Sequence, residues 1–260
     1  MKWEFEAEIA LRATSSAGSL LNHIVVGSIA EKENYKDIVT EFDFAVGKHI
    51  NTILSTSSNY PIVNEEFTDS HSNVYKHPYW VVDPIDGTTN FSTGMHLFAS
   101  SVGLVENNDF LVGAIYAPKT KELYFTYGDQ GSYLNGKLIG VKKNINLKQA
   151  SVVASFANMP GDPKQYEAFG EINDKSRTLL RLGSAALNIA YVCDGRLNGA
   201  YGIKAKIWDI GASLALAKHA GATVFYEFID NITLNYVVGS SNVVSEIKDI
   251  LSRKELINGH

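Results

Sequence analysis

The sequence predicts an α+β fold made of two unlike sheet-bearing halves, and three observations carry that reading. The composition is globular, with 45% hydrophobic and 20% charged residues over 260 positions, enough for one large domain or two small ones sharing a cleft. From Tyr79 onward, apolar or alternating runs are punctuated by turn dipeptides, which reads as an antiparallel meander. After about residue 140, strand-like runs alternate with helix-like ones. The change of pattern places a seam near 135–145, giving an N-terminal half, 1–138, and a C-terminal half, 139–260.

In chain order, residues 4–30 read as one helix, rich in small residues at Ala13, Ala17 and Gly18 and continued by Leu20, Leu21, Ile24 and Val25. Small residues on one side let a helix approach a neighbouring element closely. Asp37-Ile-Val-Thr40 leads into a second amphipathic helix with Phe44, Val46, Ile50 and Ile53 at helical spacing. Thr40 and Asp43 resemble a capping box at its start. The meander consists of Trp80–Val82, Ala99–Leu104, Phe110–Tyr116 and Glu122–Thr126, with turns at Asn107-Asn108, Pro118-Lys119 and Asn135-Gly136. Beyond it, Ser151–Ala154 and Thr223–Phe225 read as strands, and Ser184–Val192 and Ile210–His219 as helices.

Charge and cysteine usage narrow the function. The net charge is −5, which argues against nucleic acid as the main partner, because phosphate backbones are bound by clustered Lys and Arg. A phosphate group can still be bound where metal ions supply positive charge. Cys193 is the single cysteine, so neither an intrachain disulfide nor a thiolate zinc cluster can form. The start of the chain lacks a basic segment followed by an apolar one, and the uncharged stretch Ala13–Ala30 is too polar to span a bilayer. A cytoplasmic protein without a membrane partner is expected.

The most informative string is Asp83-Pro84-Ile85-Asp86-Gly87-Thr88-Thr89-Asn90-Phe91. It follows Trp80–Val82, so Asp83 is expected at a strand end, with Pro84 closing the ladder and Asp86 at a turn. Two carboxylates at that spacing can bind a hard cation through oxygen, with the Ile85 carbonyl between them as a further ligand. The amides of Gly87, Thr88 and Thr89, at the start of a helix, suit an anion such as phosphate. Taken alone, D-x-x-D also reads as an Asx turn followed by a helix cap.

This string resembles the signature of the inositol monophosphatase family. Asn64-Glu65-Glu66 resembles that family's Gly-Glu-Glu element, with Asn in place of Gly. Asp37-Ile-Val-Thr-Glu-Phe-Asp43 matches its D-x-V-T-x-x-D element, and Trp208-Asp209-Ile-Gly-Ala, leading into a helix that ends at Ala220-Gly221, matches its second signature. Gly183-Ser-Ala-Ala-Leu187 and Gly195-Arg196 match the region between. Each short element alone has a plainer reading: a solvated Glu pair, a helix cap at Asp37–Asp43, an N-cap at Asp209. Four of them in order over residues 37–221 make the resemblance specific.

The resemblance implies a layered αβαβα sandwich and Mg²⁺-dependent hydrolysis of a small phosphate monoester, inositol 1-phosphate being the first candidate. Fructose-1,6-bisphosphatase, histidinol-phosphatase and 3′-phosphoadenosine 5′-phosphate phosphatase activities are alternatives, as is a regulatory binding protein on the same scaffold. Two or three Mg²⁺ ions would be held by Glu65, Asp83, the Ile85 carbonyl, Asp86 and Asp209. Glu65, Thr88 and Asp83 would be catalytic. Substrate would meet Asp86, Gly87, Thr88, Thr89, Ser184, Ala185 and Asp209, with Asp43 in a secondary metal region. Lithium sensitivity and a homodimer are further implications. The chain also departs from the pattern. Where inositol-specific members carry a Glu that touches a substrate hydroxyl it has Gly202, and where an Arg is usual it has Leu180, with Arg181 one place later. Lys204 and Lys206 add charge near the leaving-group side, either as a solvated strand face or as readers of a second anionic group. On a regular strand the two would share one face.

Overall fold

The computed structural model describes residues 2–22, 29–31, 38–67, 77–126, 131–156 and 162–258. The first layer is a pair of helices, α1 (Glu4–Asn22) and α2 (Glu41–Ser57), joined through a small antiparallel hairpin of β1 (Ile29–Glu31) and β2 (Ile38–Thr40). The helix expected over 4–30 is described over Glu4–Asn22, and Ile29 and Ala30, at the end of that range, pair instead with Thr40 and Val39 in the hairpin. Ile24, Val25 and Asp37 fall outside the described residues. In α2 the buried stripe is Asp43, Val46, Gly47, Ile50 and Leu54, whereas Phe44 is 48% exposed and meets Phe67 edge-on.

Behind these helices stands a seven-stranded sheet in the order β3-β4-β5-β6-β7-β8-β9. Its strands are β3 (Ile62–Asn64), β4 (Tyr79–Asp86), β5 (Ala99–Glu106), β6 (Asp109–Ala117), β7 (Glu122–Thr126), β8 (Ser132–Leu134) and β9 (Lys137–Ile139). All neighbours are antiparallel except β3, which runs parallel to β4. Asn107 and Asn108 both take positive φ, 50° and 61°, as a two-residue hairpin turn requires, and Asn135-Gly136 does the same between β8 and β9. Ala10, Ala13 and Ala17 of α1 and Val46, Ile50 and Leu54 of α2 pack with Trp80, Val82, Val102, Leu104 and Val112 in one apolar cluster. Trp80 is fully buried, and its indole N–H donates to Ser58 Oγ at 2.8 Å, so the ring adds apolar area without an unpaired donor.

The second sheet follows a 3₁₀ turn at Leu147–Gln149. It comprises β10 (Ser151–Phe156), β11 (Thr178–Leu180), β12 (Gly199–Lys206), β13 (Thr223–Phe228) and β14 (Thr233–Gly239), in the order β11-β10-β12-β14-β13. The β10 pairings are parallel and those of β14 antiparallel. Between the sheets lie α5 (Ala185–Cys193) and α6 (Ile207–His219), embedded in the largest apolar cluster. On the far face α4 (Pro163–Lys175) and α7 (Ser241–Arg253) cover Val152, Ala154, Tyr201 and Val237. The stack is helices, sheet, helices, sheet, helices: the layered αβαβα sandwich.

Helix α6 belongs to the second half in sequence but rests on the first sheet. At Gly113 of β6 a Cβ would lie 2.0 Å from the Ala212 carbonyl oxygen, so helix and strand meet backbone to backbone. That approach delivers the start of α6 to the open end of β4, where the acidic residues lie.

Candidate active site

The end of β4 is bulged. Asp83 pairs with Ser101 and Asp86 with Ala99, so two residues, Pro84 and Ile85, stand opposite one, Ser100. In a regular strand, residues three apart point to opposite faces; the extra residue restores Asp83 and Asp86 to the same one. Pro84 neither ends the strand nor puts Asp86 in a turn, as the sequence suggested. It occupies the bulge, where its missing N–H costs no ladder bond, and its carbonyl accepts from Ser100 Oγ at 2.6 Å. Strand β4 continues to Asp86, Gly87 turns the chain with φ 90°, and a short helix, α3 (Thr88–Ser92), begins.

Two more carboxylates reach this point from other elements. Glu65 directly follows β3, its amide bonded to the Val82 carbonyl at 3.1 Å, which sets it beside Asp83 on the neighbouring strand. Asn64, which stands where a glycine was expected from the resemblance, is buried, bonds Asn51 Oδ1 through Nδ2 and receives the Glu66 amide. Asp209 is the third residue of α6; Lys206, not Asp209, is the N-cap. Carboxylate oxygens of Glu65, Asp83 and Asp209 all lie within 4.8 Å of one another.

Like charges at that spacing are costly without a cation. Burial raises the Asp83 carboxyl well above its ordinary value, and the charges of Glu65, Asp86, Asp209 and Asp43 raise it further. Burial does the same to Asp209, followed by Glu65 and Asp86, opposed by the Lys206 amide and ammonium. Asp83 Oδ1 is buried and has no hydrogen-bond partner. A hard divalent cation fits this donor set: oxygen ligands, excess negative charge and a buried carboxylate oxygen without a hydrogen bond.

Asp86 faces a different environment. Its carboxylate accepts from the Ala185 and Ala186 amides at 3.1 and 2.9 Å and from the Ser184 hydroxyl, all at the start of α5. Burial pushes its pKa up to about 6, while these donors pull it down. Ser184 also caps α5, receiving the Leu187 amide at 3.2 Å. Ser184 and Ala185, expected on the substrate, are engaged with Asp86 in this structure.

The relative position of α3 and α5 is fixed by Asn90. Its Nδ2 donates to the carbonyls of Leu97, at 2.6 Å, and Leu182, at 2.8 Å. At Gly183, where φ is 85°, a Cβ would lie 2.8 Å from the Asn90 amide, so only glycine admits this clamp. The sequence reading missed the part played by Asn90, because a mid-helix Asn carries no local mark of a partner 92 residues away.

The remaining residues fall as follows. Thr88 Oγ1 donates to the Ile85 carbonyl at 2.9 Å, tying two expected site groups together, and Thr89 is exposed at the start of α3. Asp43 is buried on α2, and its charge reaches Asp83. Strand β12 is bulged between Gly202 and Ala205, and Lys204 sits in the bulge at φ 56°. Lys204 is exposed, whereas Lys206 Nζ donates to Thr233 Oγ1 at 3.0 Å.

A carboxylate triplet beside a short helix start, with a fourth carboxylate seated on a second helix, is a donor set that could hold a hard cation. The inositol monophosphatase family profile matches residues 4–244. A protein of Aquifex aeolicus described as fructose-1,6-bisphosphatase/inositol-1-monophosphatase is 35% identical, over 74% of this chain and 73% of its own. The Nus factor SuhB of Escherichia coli is 30% identical over 94% of this chain and 98% of its own. The solved inositol monophosphatase of Anabaena superposes with a TM-score of 0.85 at 25% identity, covering 97% of both chains. The chain belongs to the inositol monophosphatase family, a family of phosphatases.

Proposed function

We propose that this protein hydrolyses a small phosphate monoester with Mg²⁺, and that inositol 1-phosphate is its first substrate. The observation that carries the reading is the triplet of Glu65, Asp83 and Asp209, with the buried, unpartnered oxygen of Asp83. These residues, with the Ile85 carbonyl and Asp86, would hold the two or three ions. Bound there, Mg²⁺ supplies positive charge that lowers the pKa of water and offsets charge on the departing alkoxide. Glu65 and Thr88 orient the attacking water, and the amides of Gly87, Thr88 and Thr89 meet the phosphoryl oxygens. Asp83 and Asp209 fix the metal face of the cleft between halves 1–138 and 139–260, and Asp43 lies behind it. Cytoplasmic location, inhibition by Li⁺ and a homodimer belong to the same proposal. Among the described residues, no helix is long and apolar enough to cross a membrane.

The test is phosphate release from a panel of phosphorylated metabolites with and without Mg²⁺. Turnover that requires Mg²⁺ and is highest on inositol 1-phosphate supports the reading. Preference for fructose 1,6-bisphosphate that is lost selectively in the Lys204→Ala variant would move the assignment to a bisphosphatase. The full-length similarity to a Nus factor favours one second reading, a regulatory binding protein. It predicts no Mg²⁺-dependent turnover on any ester.

A further inference from the structure

A row of side chains on the second sheet lies beside the acidic site and has no role in the reading above. Ser155 of β10 pairs in register with Gly202 of β12, and Gly202 pairs with Tyr236 of β14, so the three stand on one face of the sheet. That face looks toward α5, because Asn188 of α5 donates from Nδ2 to Ser155 Oγ at 2.8 Å. Gly202 is bare because the tyrosine covers it: a Cβ there would lie 2.2 Å from Tyr236 Cε1 and 2.8 Å from Cζ. The phenol reaches over Gly202 toward Ser155 and Asn188.

Two polar atoms in this row have no hydrogen-bond partner, the Tyr236 hydroxyl and Asn188 Oδ1. Both side chains are buried, Tyr236 fully. The hydroxyl stands beside Ser155. The row also borders the acidic site. Asn188 lies four residues after Ser184, on the same face of α5 as the cap that holds Asp86. Burial keeps the proton on Tyr236, opposed by the neighbouring Ser155 and aided by the charges of Asp86 and Asp209.

We propose that Tyr236 and Asn188 determine specificity, receiving the alcohol part of the substrate and selecting an uncharged, hydroxyl-bearing leaving group. The proposal rests on the phosphatase reading and deepens it. A phenol both donates and accepts, and an amide oxygen accepts, so a polyol hydroxyl complements the pair. A second phosphate offers only acceptors at neutral pH and would meet Asn188 Oδ1 and two carboxylates with no cation in the row. An alkyl leaving group would leave both polar atoms unpaired, and sites built to bond a substrate hydroxyl discriminate strongly against analogues that lack it.

The experiment compares inositol 1-phosphate, fructose 1,6-bisphosphate and cyclohexyl phosphate, a hydroxyl-free analogue of the first, on wild type and on Tyr236→Phe. Tyr236→Phe should lower kcat/KM for inositol 1-phosphate by about tenfold or more and change cyclohexyl phosphate by less than about twofold. Asn188→Ala should show the same selective loss, and it decides the matter if Tyr236→Phe does not fold. An equal fall on both monoesters would mean the row only positions the carboxylates, and no fall on either would mean solvent satisfies it; both outcomes overturn the proposal. So does a wild-type preference for the bisphosphate. If wild type shows no Mg²⁺-dependent turnover at all, the phosphatase reading fails instead. Calorimetry with the two monoesters then reads the row directly, and equal affinities in wild type and Tyr236→Phe overturn it.

Discussion

Each of the two large sheets holds a bulged strand near the site, β4 in the first and β12 in the second, and the two differ in what makes the bulge. In β4 the extra residue is written into the strand itself: Pro84 cannot donate to the ladder, and the acids that flank the irregularity, Asp83 and Asp86, are the ones it turns to a common face. In β12 the extra residue lies in Ile203-Lys204, which carries no local signal. There the partner strand makes the bulge, since the Lys204 amide is taken by Asn235 Oδ1 at 2.9 Å and Asn235 is held by Glu227 and the Leu256 carbonyl. One bulge brings two carboxylates to a common face; beside the other lie the buried, uncharged polar groups of Tyr236 and Asn188. Chemistry that resides on one segment can be read from that segment, whereas a wall assembled from three strands and a helix cannot.

The largest expected effect breaks the charged side of this comparison. Asp83→Asn and Asp209→Asn should each lower Mg²⁺-dependent turnover by more than about 10²-fold, because even the outer partners of metal ligands are worth 10–100-fold. The fold should survive, and the metal-free variants should melt above wild type, since each removes a buried carboxylate whose ionised form is disfavoured. Mg²⁺ should raise the melting midpoint of wild type and leave that of Asp83→Asn nearly unchanged. A calorimetric scan of each protein with EDTA and with Mg²⁺ checks both statements.

The next effect attacks the clamp between the two regions. Asn90→Ala leaves the Leu97 and Leu182 carbonyls without their donor, at a cost of about 2–4 kcal/mol in unfolding free energy. Because Leu182 directly precedes the Gly183-Ser184 cap that seats Asp86, kcat should fall as well. Urea unfolding together with steady-state kinetics would show the two losses in one variant; a stability loss with unchanged kcat would mean that α5 holds Asp86 unaided.

Overpacking the uncharged side is a smaller perturbation. Gly202→Ala places a methyl group against the Tyr236 ring and should cost about 1–3 kcal/mol. Adding Tyr236→Ala should recover part of that cost, so a double-mutant cycle on unfolding free energies should show coupling between the two sites. Additive losses would mean that the ring does not fill the space over Gly202.

The smallest effect lies far from both bulges and sets a baseline. Glu171 of α4 is held at about 2, first by its bond to Arg253, then by Lys175, against a small opposing effect of burial. A carboxyl lowered on folding contributes stability above its unfolded pKa and loses it as pH falls through the folded value. Glu171→Gln should therefore be slightly less stable than wild type at pH 6 and converge with it toward pH 2. The pair is at the surface, where such contacts contribute little, so turnover should not change.

By itself the sequence determined the meander and its turns, the alternation of strands and helices that follows, and the identity of the acids at 65, 83, 86 and 209. Each is a property of a short segment: side-chain period, a turn dipeptide's tolerance of positive φ, a carboxylate beside a proline. Only the tertiary structure decided that Ile29 and Ala30 pair in a hairpin instead of continuing the first helix, that Pro84 sits inside a strand, and that Asp86 is seated on α5 while three other carboxylates converge. It also decided that Gly202 is bare to make room for a tyrosine 34 positions later in the chain. These outcomes depend on which backbone groups find partners across long sequence separations, and a buried polar group acquires its role from the neighbour that satisfies it or fails to.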